Sequence, residues 1–343
     1  MTDAPDPRAA LLAAKLGALV RSRWAGEADG ARPGTFPGGA TLAGGGRLWI
    51  LLDAEADASR RLGAVLAVAS RAGATQVDLL VEDPAAAGVL ARRASLFAEP
   101  PAVWAVTGVE LAPAAAAAPA ADPAPAPEAE LFRPVLVEAG LETVVEGGSL
   151  LGEVLGLEVA RVVVGDDGTA HVEAGVGRFD REVGAMMFAE LSEIDALARA
   201  AELVADVRQP GARRHPLNQL VPERWLRSVV IARPDLVGAA ELRAVGSAIP
   251  RANLKETGVA SAVGTAVDGS PLVVTCSTGV DLELVPSAAD DRLTHAPGAR
   301  LVLAVPSRDA LAVTTDLASH LAAPAVVVPV DDDWQIAATT GAP

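Results

Sequence analysis

The 343-residue chain has no tyrosine, and aromatic residues make up only 3% of it. With 51% hydrophobic residues, much of that alanine, its core must be aliphatic. A single cysteine, Cys276, excludes an internal disulfide. Lysine is nearly absent: only Lys15 and Lys255 occur among 28 basic residues, and the rest are arginines. Acidic residues number 44, giving a formal charge of −16 that opposes broad adhesion to nucleic acid or to an anionic membrane. No apolar run reaches the roughly 20 residues that a bilayer-spanning helix needs. Asp3 and Asp6 against Arg8 alone are the reverse of a secretory start. The expectation is a cytoplasmic protein of about two domains with no membrane partner.

The pattern along the chain predicts an α/β protein: an N-terminal parallel-sheet (Rossmann-like) lobe over residues 1–111 and a larger mixed-sheet lobe over 131–330. Leu12, Leu16, Leu19 and Val20 have helical spacing, and a loop rich in glycine and proline follows. Apolar runs at 48–52, 77–81 and 103–106 then alternate with helical patterns at 58–72 and 84–97, the signature of a parallel sheet. Residues 112–130, mostly alanine and proline, read as a linker, and 331–343 as a tail. In the second lobe, extended segments at 150–164, 169–176, 272–285, 301–305 and 325–330 mix with helices near 192–206, 222–233 and 309–321.

Nucleotide motifs are missing where they would be needed. Gly44, Gly45 and Gly46 precede the first parallel strand, whereas a dinucleotide fingerprint places its glycines after it. The strand exit instead carries Asp53, Glu55 and Asp57, which repel phosphate. There is no GxxxxGK loop, so no cofactor-binding residue is assigned. Arg92 and Arg93 read as solvated neighbours on a helix. Cys276, in VVTCSTG, reads as a buried inert thiol, and the four histidines show no metal spacing.

Charge is divided unevenly in the second lobe. Residues 128–206 hold 17 acidic side chains against 5 arginines, and 208–255 hold 9 basic against 3 acidic. Arg213, Arg214, Arg224 and Arg227 of the basic segment, with Arg178 beyond the acidic strands, are the candidate anion-binding residues, and nucleic acid is an expected partner only through the basic 208–255 segment.

The acidic block contains GEVLGLEVARVVVGDDGTAHVEAGVGRFDRE, which reads as two strands around a four-residue loop, Gly165 to Gly168. Facing Val164 with Thr169 sets Val162 opposite His171 and Ala160 opposite Glu173. Glu158, His171 and Glu173 then share one face, with the two glutamates diagonal neighbours roughly 7–8 Å apart, close enough to share a hard cation. Glu153 falls on the other face unless a bulge at Gly156 reverses it.

The order of helix, GEV, GLEV and HVEAG resembles the core of the PD-(D/E)XK nuclease superfamily, in which two strands after a helix present an acidic residue and an E-x-K triplet. The resemblance implies Glu153 or Glu158 as the first metal ligand and Glu173 as the second. The triplet departs from the pattern, since Gly175 stands at the lysine position. A second placement, Asp281 and Glu283 in GVDLELV followed by LVLAVPS, also lacks the glutamate and lysine, with Ala304, Val305 and Pro306 there. Either placement covers some 40 residues.

Three functions fit these residues. The first is a non-catalytic binding or assembly protein with a protein partner or self-association. The second is a Mg²⁺- or Mn²⁺-dependent phosphodiesterase or nuclease using Glu158 and Glu173, with His171 nearby. The third is a small-molecule binding protein with its ligand between the lobes.

Overall fold

A computed structural model describes residues 7–54, 57–119, 123–176, 193–208, 215–248 and 253–337. The fold is α/β with three sheets. The chain divides into two compact units, residues 1–119 with 316–324, and residues 120–315 with 325–343.

The first unit contains α1 (Pro7–Arg23), β1 (Arg32–Phe36), β2 (Gly39–Gly44), β3 (Arg47–Leu52), α2 (Leu62–Ala72), β4 (Gln76–Val81), α3 (Pro84–Ala94), β5 (Ala102–Thr107) and β6 (Glu110–Pro113). Its sheet runs β1-β2-β3-β4-β5-β6. Strands β3, β4 and β5 are parallel, as the alternation predicts, and antiparallel strands extend the sheet at both edges. The segment expected as a Gly/Pro loop is in fact the β1–β2 hairpin. Its glycines permit close packing of backbones: a Cβ on Gly39 would lie 2.2 Å from the Leu51 carbonyl oxygen.

Leu12, Leu16, Leu19 and Val20 form the buried stripe of α1, packed with Trp49, Leu51, Leu80 and Val106. At the end of this core Trp24 meets Trp49 and Trp104 with ring centroids 6.0 and 5.5 Å apart. Buried Asp78 accepts bonds from Arg47 Nε at 2.6 Å and Trp104 Nε1 at 2.9 Å. The C-terminal edge of the parallel strands, where open α/β sheets usually bind ligands, is occupied by α1 cations. Arg8 forks onto Asp53 at 2.5 and 2.9 Å, and Lys15 pairs with Glu82. Arg92 and Arg93 are buried rather than solvated. Arg92 donates to the carbonyls of Ala117 and Ala118, and Arg93 to that of Ser59.

The second unit holds two sheets. The first is wholly antiparallel, in the order β10-β9-β8-β7, from β7 (Glu142–Glu146), β8 (Ser149–Val154), β9 (Leu157–Val164) and β10 (Ala170–Ala174). One face packs Leu150, Leu157, Val159 and Val162 with Ala129 of α4 (Pro127–Glu130), Leu136 of α5 (Arg133–Glu138), and Leu197 and Val204 of α6 (Glu193–Val207). The extended segment expected at 150–164 is therefore two strands. They are joined by a turn at Leu155 and Gly156, both left-handed at φ +47° and +75°.

After α7 (Pro222–Ala232) the last sheet runs β11-β12-β13-β14-β15, from β11 (Ala239–Val245), β12 (Ala260–Ala266), β13 (Pro271–Cys276), β14 (Arg300–Pro306) and β15 (Val326–Val330). Only β13, β14 and β15 are parallel. Helix α8 (Leu284–His295) separates β13 from β14, α9 (Ala312–Ser319) separates β14 from β15, and α10 (Trp334–Ala337) follows. Helix α7 buries Trp225, Leu226 and Val229 against Leu272, Val274, Cys276, Ala304 and Trp334. Each such large apolar side chain contributes about 1.5–3 kcal/mol. Among the described residues no helix is long and apolar enough to cross a membrane.

Candidate functional site

The predicted hairpin forms, with a different register. The loop closes as a type I turn with Gly168 left-handed at φ +79°, so Gly165 N bonds Thr169 O and Gly168 N bonds Gly165 O, at 2.8 and 2.9 Å. Asp167 Oδ1 holds Thr169 through its amide and its hydroxyl. Val164 therefore faces Ala170 rather than Thr169, and the whole ladder moves by one: His171 lies opposite Val163, and Glu173 opposite Arg161.

Alone, that shift would carry His171 and Glu173 away from Glu158. A bulge restores the alignment. Glu153 pairs with Glu158, but Gly152 pairs with Ala160, so Val159 and Ala160 together oppose one residue and the alternation reverses there. Glu158 and Arg161 consequently share a face. Glu153 also reaches this face, through the two-residue turn rather than through a bulge at Gly156.

The result is a rank of three carboxylates on neighbouring strands, Glu142 opposite Glu153 and Glu153 opposite Glu158. Like charges directly opposite one another destabilise a sheet, so the rank requires counter-charges. Helix α7 supplies two cations, Arg224 and Arg227, and a hydroxyl donor, Ser228, which share one helical face by their spacing of three and four. Arg224 donates to Glu153 at 3.1 Å and to both oxygens of Glu146 at 2.7 and 2.5 Å. Arg227 donates to Glu153 at 2.7 Å, and Ser228 to Glu142 at 2.8 and 3.1 Å. At the open end Arg161 forks onto Glu158 at 2.9 and 3.0 Å.

Burial disfavours the charge on Arg224, but Glu153 and Glu146 outweigh it and raise its pKa. Burial raises the pKa of Glu142, partly offset by the Ser228 hydrogen bond. Arg208 is fully buried, and desolvation lowers it to about 10. It donates to the carbonyls of Leu155, Leu217 and Leu220, pinning the left-handed Leu155 turn beside α7.

Of the predicted metal set, Glu158 is held by Arg161, while His171 Nε2 lies 3.8 Å from Glu173 Oε1 on a half-exposed edge. The Arg161 guanidinium takes both oxygens of Glu158 and donates from its remaining arm to Ser149 Oγ of β8 at 3.3 Å. Among the described residues no three His, Cys, Asp or Glu side chains converge as a ligand set. The residues present thus fit a guanidinium better than a divalent cation. Of the predicted anion set, Arg224 and Arg227 bind the protein's own carboxylates, and Arg178, Arg213 and Arg214 lie outside the described residues. Glu142, Glu146, Arg161 and Ser228 were not singled out from sequence. The period-two spacing of Glu142 and Glu146, and the 224, 227, 228 spacing, were the available signals.

A separate groove of about 940 Å³ lies in the first unit, lined among others by Leu66, Thr75, Phe97, Pro101 and His320. It sits at the N-terminal ends of β4 and β5. Comparison with protein families, with curated proteins and with solved structures returned no match.

Proposed function

We propose that the chain is a non-catalytic binding or assembly protein whose second unit uses a nuclease-like core as a scaffold. What supports this reading is the arginine on each central carboxylate: Arg224 and Arg227 on Glu153, and Arg161 on Glu158. A guanidinium competes with a metal for the same oxygen lone pairs, and arginine does not release its charge. The test is calorimetry of Mg²⁺ and Mn²⁺ on the full chain and on the Glu158→Ala, Glu173→Ala double variant. The expected result is no saturable binding at millimolar concentration. Saturable binding that disappears in the double variant, with cleavage of a nucleic acid substrate, overturns the proposal.

A second reading, small-molecule binding, is favoured by the first-unit groove, whose volume is within the usual range for such sites. A fragment whose NMR shift perturbations centre on Thr75, Ala98 and His320 would support it.

A further inference from the structure

The segment that leaves β11, residues 246–248, is held by two side chains one turn apart on α8. Asp291 is fully buried. Its Oδ1 accepts from the Ala248 amide at 2.6 Å and from Ser247 Oγ at 3.2 Å. Its Oδ2 accepts from Ser261 Oγ at 2.6 Å, and Ser261 Oγ lies 2.8 Å from Thr275 Oγ1. His295 Nε2 lies 2.7 Å from the Gly246 carbonyl, which can only accept, so that nitrogen carries the proton.

We infer that Asp291 and His295 form a clasp on residues 246–248 that tightens when Asp291 takes up a proton. The hydroxyl pair makes this possible. Protonated at Oδ2, Asp291 donates to Ser261, whose hydroxyl turns to donate to Thr275, while Oδ1 keeps the Ala248 amide. Oδ1, Oδ2 and the Ser261 hydroxyl then each keep a hydrogen-bond partner while Asp291 itself carries no buried charge.

The surroundings set the direction. Burial pushes the Asp291 carboxyl up to about 6, against the lowering influence of the Ser261 and Ala248 hydrogen bonds and of His295, and Asp290 adds repulsion. Arg292 adjoins on the same helix. Ser261, Thr275 and Leu303, side by side on the strands packed against α8, are uncharged, Arg243 and Glu241 lie on the same sheet face farther along β11, and Arg227 of α7 donates to the Val245 carbonyl at 3.3 Å as well as to Glu153. Released from the clasp, Asp291 meets water, where a carboxyl titrates near ~3.9. The closed form therefore binds the proton more tightly, and closing is favoured as pH falls through about 6.

The experiment is hydrogen exchange of the Ala248 amide in the full chain, corrected for intrinsic rate. Protection is expected to rise about tenfold from about pH 7.5 to about pH 5. Asp291→Asn, which mimics the protonated form, should be protected throughout with no step, and His295→Gln should keep the step. A flat wild-type profile, or a step that survives in Asp291→Asn, overturns the inference. Should Asp291→Asn not fold, the Asp291 ¹³C-carboxyl titration of the wild type decides, since a midpoint different from that of the protection step also overturns it.

Discussion

Glu153 and Arg227 stand 74 residues apart in the chain and 2.7 Å apart in the fold, with side chains 1% and 5% exposed. Removing one partner of a buried pair leaves the other charge desolvated, which typically costs about 3–5 kcal/mol. Glu153→Ala is expected to lower unfolding free energy by that amount in urea titrations. Arg199→Ala, which breaks an exposed pair with Glu202, should cost less than about 1 kcal/mol. Equal losses in the two variants would remove the ionic rank from any role in holding the second unit together.

Glu142 gives a pH dependence of definite sign. Its folded pKa is raised, first by burial, so the native state binds its proton more tightly than the unfolded chain does. Its contribution to stability is fully present below the unfolded value and is lost as pH rises through the folded one. Glu142→Gln keeps an acceptor for Ser228 and removes the charge. The variant should be more stable than wild type at neutral pH, with the gain vanishing as pH falls toward about 4.5. A gain that is constant across pH would refute this assignment.

Two glycines with similar left-handed backbones should respond differently to alanine. At Gly168 no atom lies within 4 Å of the added Cβ, leaving only the conformational cost of about 1–2 kcal/mol. At Gly156 the Cβ would sit 2.3 Å from the Arg224 carbonyl carbon and oxygen, which are backbone of α7. Gly156→Ala is expected to be the more damaging in thermal melts, and the reverse order would contradict the packing of the turn on α7.

Cys276 is fully buried, and desolvation pushes its thiol up to about 12. It should resist disulfide reagents at about pH 8 in the native protein and react at the rate of unfolding. Immediate reaction would contradict its place in the core beneath α7.

Long, strongly periodic elements were legible in the sequence. The stripe Leu12, Leu16, Leu19 and Val20 and the parallel strands β3, β4 and β5 lie where their spacing places them. The β1–β2 hairpin was not, because its strands, RPGTF and GATLAG, are rich in Gly, Ala and Pro, which are depleted in strands, and lack a regular apolar alternation. In the hairpin of β9 and β10, loop and strands were readable but register was not. A loop of four residues and one of three with a left-handed glycine share the letters GDDG and differ by one step in pairing. The bulge at Val159 left no mark either, since any apolar pair there looks like regular strand. Arg224 and Arg227 were visible as part of a basic block, but only tertiary structure shows that the anions they meet belong to the same chain.

Helix α7 places its charged side against one sheet and its apolar side in the core of another. A fragment ending near residue 235 would leave Trp225, Leu226 and Val229 bare, and one ending before α7 would deprive the carboxylate rank of its cations. A cut on either side of α7 therefore does not yield two separately expressible pieces. The halves should be recoverable only by co-expression and mutual complementation.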